Sequence, residues 1–285
     1  MPYFYSGGIP PKLPNEQLNK RMKTRVLMIL AAVLAAVNLS FAWGPKGHAV
    51  VADIAARHIS KKTAQKIDAV LGGETMVDVS SWADNVRKDP RYAHTATWHF
   101  VNVDPGYTYR TMPKDPAGDV YVKLLEIVEA LKSDTLSAEQ EKVNLMLLIH
   151  LVGDLHCPMH VGHRDDLGGN RIPVQWFGQP TNLHSVWDSK LVDACRPWSY
   201  SEWTENIDRN LTPEQIRRIT QPSVMEWMEQ TMALCEDIYA NTPAEGNYSY
   251  DYCFQYAPAV KQQFLQAGLR LARLLEEIYG DGRVR

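Results

Sequence analysis

Apolar residues recur at helical spacing along most of the chain. Near the C-terminus Val260, Phe264, Ala267, Leu271, Leu274 and Ile278 fall three or four positions apart, and Val122, Leu125, Val128 and Leu131 do so earlier. The same pattern, with Ser, Thr or Pro near several starts, predicts further helices near 47–71, 78–88, 186–194, 212–219 and 222–240. Pro and Gly clusters around 103–118, 162–180 and 242–250 read as loops. No stretch alternates long enough to demand a sheet, and only Ile172 to Phe177 suggests a short strand. The fold class is therefore all-α, with one large domain as the simplest organisation, since neither a repeat nor a linker-like composition shift appears.

One predicted helix differs from the others. Around 140–157, Val143, Leu145, Met146, Leu147, Leu148, Ile149, Leu151, Val152 and Leu155 make it apolar nearly all round, the mark of a buried element. Into this surface the chain sets His150 and Asp154, four positions apart and so on one face. A buried carboxylate demands a cationic partner or a hydrogen-bonded one. His160 follows just past Pro158, NLHSVWDS places His184 and Asp188 again four apart, SWAD supplies Asp84, and WHFVN supplies His99. Imidazole and carboxylate together suit zinc, and a multinuclear site explains the set better than unrelated core histidines.

The N-terminal pattern is of a different kind. Lys23 and Arg25 precede an apolar run from Val26 to Leu39, with Ser40 and Ala42 at the small positions before a cut, so 22–42 reads as a signal peptide. The run falls short of the roughly 18 residues of a membrane span. Residues 1–21 read as a disordered leader or over-extended start, and 43–285 as the functional domain. Cleavage would leave Trp43 with a free amine, which with its own carbonyl forms a five-membered chelate, and His48 lies five residues on.

Charge and cysteines change the picture modestly. The whole chain carries a formal charge of −3, and without residues 1–42 it holds 25 Lys and Arg against 32 Asp and Glu. That excludes a basic-patch nucleic-acid binder but not a metal-dependent phosphoesterase, because bound cations reverse the local field. Export permits disulfides, and Cys157, Cys195, Cys235 and Cys253 allow three full pairings. Disulfides or buried thiols outrank metal ligation, because the spacings match no zinc-binding cysteine pattern.

The ordered motifs WGxxGH, SWAD, WHFVN, HLVGDLHCPMH, GGN and NLHSVWD resemble the zinc-dependent single-strand nucleases of the S-one/P-one type, a nuclease and 3'-nucleotidase family. The resemblance implies a mainly helical domain of the phospholipase C and P-one nuclease fold with a trinuclear zinc cleft. Asp84, His99, His150 and Asp154 would hold one zinc, His160, His184 and Asp188 a second, and the Trp43 amine and carbonyl with His48 and Asp154 a third. It further implies a zinc-bound hydroxide attacking phosphorus in line, with 5'-phosphate products, and catalytic roles for Asp84, Arg87 and Asp154. Arg87 would steady the phosphoryl oxygens. Phe100, Asn102, Gly169 and Asn170 lie where the family places base contacts, and Asn102 stands where the fungal enzymes carry an aspartate.

Substrates on this reading are single-stranded DNA, RNA and 3'-nucleotides. No stable protein partner and no membrane contact after cleavage are expected, and the location is secreted or periplasmic. A zinc-dependent phospholipase C is the nearest rival enzyme, but 23 residues separate His160 from His184 and the last acid is Asp188, where that group uses a short spacing and a glutamate. A secreted zinc-binding protein without turnover is the rival from another class.

Overall fold

The computed structural model describes residues 43–133, 135–280 and 284; the expected leader and signal segment fall outside them. Helix α1 (Pro45–His58) starts on a proline, whose missing N–H costs nothing at that position. The predicted helix over 47–71 is split, because Ser60 accepts a hydrogen bond from the Thr63 N–H and opens a new helix, α2 (Lys61–Leu71). The predicted stretch over 78–88 is likewise two single turns, α3 (Met76–Val79) and α4 (Trp82–Asn85).

Helix α5 (Val120–Lys132) is capped by Asp119, and α6 (Ala138–Leu155) by a reciprocal pair between Ser137 and Gln140. From Leu145 to Leu155 every residue of α6 is buried, as its apolar girth requires. A 3-10 turn (Pro158–Val161) follows.

The sequence pattern missed most of a small sheet. Strand β1 (Pro173–Trp176) pairs antiparallel with β2 (Gln179–Asn182) and parallel with β3 (Asn247–Tyr248), giving the order β2-β1-β3. The chain then winds through α7 (Leu183–Ser185), a π turn (Val186–Lys190) and α8 (Leu191–Cys195). Helices α9 (Tyr200–Ile207), α10 (Pro213–Thr220), α11 (Val224–Asn241) and α12 (Tyr250–Tyr279) complete the fold.

Helix α12 packs along α1. The approach is close enough that a Cβ at Gly268 would collide with Ile54. Trp43, Trp187, Trp203, Trp227 and Phe264 are fully buried around this seam. Burying each such ring contributes on the order of 2–3 kcal/mol. Among the described residues no helix is long and apolar enough to cross a membrane.

Candidate metal centre

Helix α6 carries His150 and Asp154 into the core, where both are fully buried. The carboxylate is surrounded by imidazoles: Asp154 Oδ2 lies 2.9 Å from His99 Nδ1 and 3.2 Å from His150 Nε2, and Oδ1 lies 3.4 Å from His48 Nε2. Asp84, delivered by α4, brings Oδ1 to 3.6 Å from His150 Nε2 and 3.9 Å from His99 Nδ1. His99 Nδ1 and His150 Nε2 are 3.1 Å apart. Tetrahedral zinc with bonds near 2.0–2.2 Å sets its donors about 3.3–3.6 Å from one another. The four donors from Asp84, His99, His150 and Asp154 scatter around that spacing.

Backbone carbonyls fix which nitrogen each imidazole presents. His150 Nδ1 faces Ser80 O at 2.8 Å, His160 Nδ1 faces His99 O at 2.7 Å and His184 Nδ1 faces Gly168 O at 2.7 Å. A carbonyl only accepts, so Nδ1 carries the proton and Nε2 is left with a lone pair, the arrangement expected behind metal-ligating histidines.

On His160 and His184 that lone pair meets no hydrogen-bond partner among the described residues. His48 Nε2, Asp154 Oδ1, His160 Nε2, His184 Nε2 and Asp188 Oδ1 are buried without a hydrogen-bond partner. Buried polar atoms left unpaired are costly, and here they are nitrogen and carboxylate donors gathered in one place. The residues present fit divalent zinc.

Two further groupings flank the first. His48 stacks on His150 at 4.0 Å, and donor atoms of His48, His150 and Asp154 lie within 4.8 Å of one another. Beside them the Gly44 N–H donates to Asp188 O at 2.6 Å, and the buried Trp43 ring packs on Phe264 at 4.8 Å. On the other side His160 Nε2 and Asp188 Oδ1 are 3.9 Å apart, and the His184 ring lies 5.1 Å from that of His160. The tight trio at this position is Cys157, His160 and Asp188, so the cysteine that spacing had set apart from the metals lies among them.

No disulfide is formed. All four cysteines are free thiols, and Cys195 Sγ donates instead to the Cys253 carbonyl at 3.6 Å.

Protonation follows from crowding. Burial would raise Asp154, but His150, His48 and His99 hold it well below the usual carboxylate range. Burial, then Asp84 and Asp154, push Asp188 well above that range. Burial brings His48 down to about 4 and His184 to about 3, so both are neutral, the form that binds a metal. His150 rises to about 9 because, against its burial, it faces the charges of Asp154 and Asp84. Three buried acids, Asp84, Asp154 and Asp188, crowded together with imidazoles are what a site built around ions presents.

A cavity of about 230 Å³ opens onto this cluster, lined by Arg87, His99, Phe100, Asn102, His160, Asn170 and His184, among others. Arg87 Nη2 lies 2.6 Å from Asp84 Oδ1, at the edge of the first metal position. Phe100, Asn102 and Asn170, expected at base contacts, line the cleft. Gly169 does not; its carbonyl accepts from the His184 N–H at 3.3 Å, and it shapes the loop behind the site. Leu167 and Met159 also line the cavity and were missed, because neither carries chemistry. A larger cavity, of about 720 Å³, lies elsewhere and has none of these residues in its lining.

A family model for the S1/P1 nuclease matches residues 43–280. The chain belongs to the S1/P1 nuclease family. Curated relatives agree along nearly their full length: it is 28% identical to Endonuclease 2 of Arabidopsis thaliana, covering 90% of this chain and 97% of the relative. Nuclease P1 of Penicillium citrinum is 26% identical (84% and 98% covered), and Nuclease S1 of Aspergillus oryzae 24% (89% and 98%). As an S1/P1 nuclease it is a hydrolase of phosphodiester bonds in nucleic acids, and zinc dependence is a property of the family.

Proposed function

We propose that residues 43–285, freed from a signal peptide at 22–42, form a secreted or periplasmic endonuclease specific for single strands. It would cut single-stranded DNA and RNA to 5'-phosphate ends and act as a 3'-nucleotidase. The observation that supports this most is the set of buried donors without hydrogen-bond partners beside a cleft.

Asp84, His99, His150 and Asp154 would hold one zinc, His160, His184 and Asp188 a second, and Trp43, His48 and Asp154 a third. When bound, zinc supplies an activated water at neutral pH and offsets charge on the departing oxygen. The chain's own residues do the rest. Arg87, held against Asp84 in the cleft wall, would set its positive charge beside the phosphoryl oxygens. Phe100, 38% exposed in the cleft wall, offers a face on which an unpaired base stacks, and Asn102 and Asn170 offer amides to its edge. A base inside a duplex cannot reach this wall, which accounts for a single-strand preference. Asn102, being neutral, both donates and accepts, whereas the aspartate of the fungal pattern only accepts.

The test uses protein beginning at Trp43: zinc by elemental analysis, and hydrolysis of single-stranded DNA, RNA and a 3'-nucleotide with and without chelator. Near three zinc ions per chain and chelator-sensitive release of 5'-phosphate ends are expected. Metal without hydrolysis of any of the three would defeat the proposal. One extra residue before Trp43 should lower the zinc content by one; full metal content in that variant would remove Trp43 from the ligand set.

A further inference from the structure

A second cavity, about 720 Å³, is lined mainly by residues of α10, α11 and α12. Two arginines line it, Arg218 and Arg270, and no carboxylate does. In a chain with 33 acidic against 30 basic residues, that is a local reversal of sign.

Arg270 is only 1% exposed, yet all its bonds go to neutral acceptors. Nε donates to Ile219 O at 3.2 Å, Nη1 to His156 Nε2 at 2.8 Å, and Nη2 to Gln230 Oε1. His156 is fixed in this role because its Nδ1 donates to Val152 O at 2.7 Å. Among the described residues no carboxylate pairs with Arg270.

A guanidinium has five N–H donors, so two remain after these three bonds. Burial, then the nearby Arg273, bring Arg270 down to about 9, against the weaker pull of Glu226. Arg273 is itself paired, with Nε 2.7 Å from Glu277 Oε1. Arg218, exposed on α10, has no ion pair among the described residues. A buried cation hydrogen-bonded only to neutral acceptors is unfavourable, and an anion entering this cavity would relieve it.

We propose that the cavity binds a phosphate-class oxyanion between Arg218 and Arg270, with the amides of Gln215 and Gln266 beside it. The planar fork of arginine matches a tetrahedral oxyanion through paired hydrogen bonds. Inorganic phosphate and the phosphate of a nucleoside monophosphate share this chemistry. The apolar wall of Leu211, Ile219 and Leu234 leaves room for the base of the latter. The site is separate from the metal cleft and stands whether or not the metal reading does.

Calorimetric titration of the zinc-loaded protein with inorganic phosphate, and separately with AMP, tests it. Wild type should show a class of site that R218E and R270K each weaken at least tenfold, apart from any class at the metals. Hydrolysis by R218E at saturating substrate should stay within twofold of wild type. AMP binding tenfold tighter than phosphate at the arginine-dependent class identifies a nucleotide as occupant, and equal affinities identify the phosphate group alone. The proposal is overturned if both isotherms are unchanged in R218E, a surface variant expected to fold, with circular dichroism matching wild type.

Discussion

His99 and Asp154, 55 positions apart in the chain, meet in the core with Nδ1 2.9 Å from Oδ2. The other oxygen of the same carboxylate, Oδ1, faces His48 at 3.4 Å, so Asp154 stands between two groups of imidazoles. On the proposed assignment it is the acid shared by the first and third zinc positions.

D154N should therefore remove two of three zinc ions rather than one, and lower hydrolysis by about 1000-fold or more. Elemental analysis decides: loss of a single ion would mean that the carboxylate does not bridge.

Gly153 gives a prediction with the opposite sign to ordinary propensity. Glycine inside a helix is normally about 1 kcal/mol worse than alanine. Here an added Cβ would lie 2.7 Å from His48 Nδ1, and His48 cannot retreat because it stacks on His150 at 4.0 Å. G153A should lose one zinc and gain no thermal stability; a variant that is more stable and fully metallated would refute the steric argument.

Arg87 separates binding of metal from chemistry. R87K keeps the positive charge beside Asp84 but loses the planar fork. Turnover should fall about 100-fold with zinc content unchanged. A parallel drop in zinc would make Arg87 a support for Asp84 and nothing more.

His156 should make the protein acid-sensitive. Burial and Arg270 hold its folded pKa at about 3, against 6.5 when exposed. A histidine kept neutral by the fold takes up its proton more readily once unfolded, so its contribution is intact above pH 6.5 and drains as pH falls toward 3. The amount is on the order of a few kcal/mol. Urea midpoints of chelator-treated protein from pH 7 to 4 should fall more steeply for wild type than for H156Q; parallel curves would assign the acid lability to other groups.

Local signals made much of the molecule legible. The 3.6-residue period located α5, α6, α10, α11 and α12, and the two His-x-x-x-Asp pairs located the centre, because both are read within one or two turns of helix. The features that stayed hidden depend on distant partners. Strand β3 is two residues long and exists only through pairing with β1, some seventy positions earlier. Helix α9 was missed although Ser199 and Glu202 form a capping box at its start, a signal present in the sequence and passed over. Cys157 gave no spacing signal, since its neighbours at the second metal position are assembled by the fold. The same holds for Arg270 and His156, which meet across 114 positions.

The π turn at Val186–Lys190 has an evolutionary corollary. Its wide winding closes with the Leu191 N–H on Val186 O, one residue further back than in an α-helix. Asp188 sits inside it, with its carboxylate near His160 and its carbonyl on the Gly44 N–H. Deleting a single residue there would restore α winding and swing the downstream helix by roughly 100°, parting the carboxylate from one contact or the carbonyl from the other. Insertions and deletions accumulated by descendants of this chain are therefore excluded from 186–190, and drift in length belongs to surface connections such as 242–246.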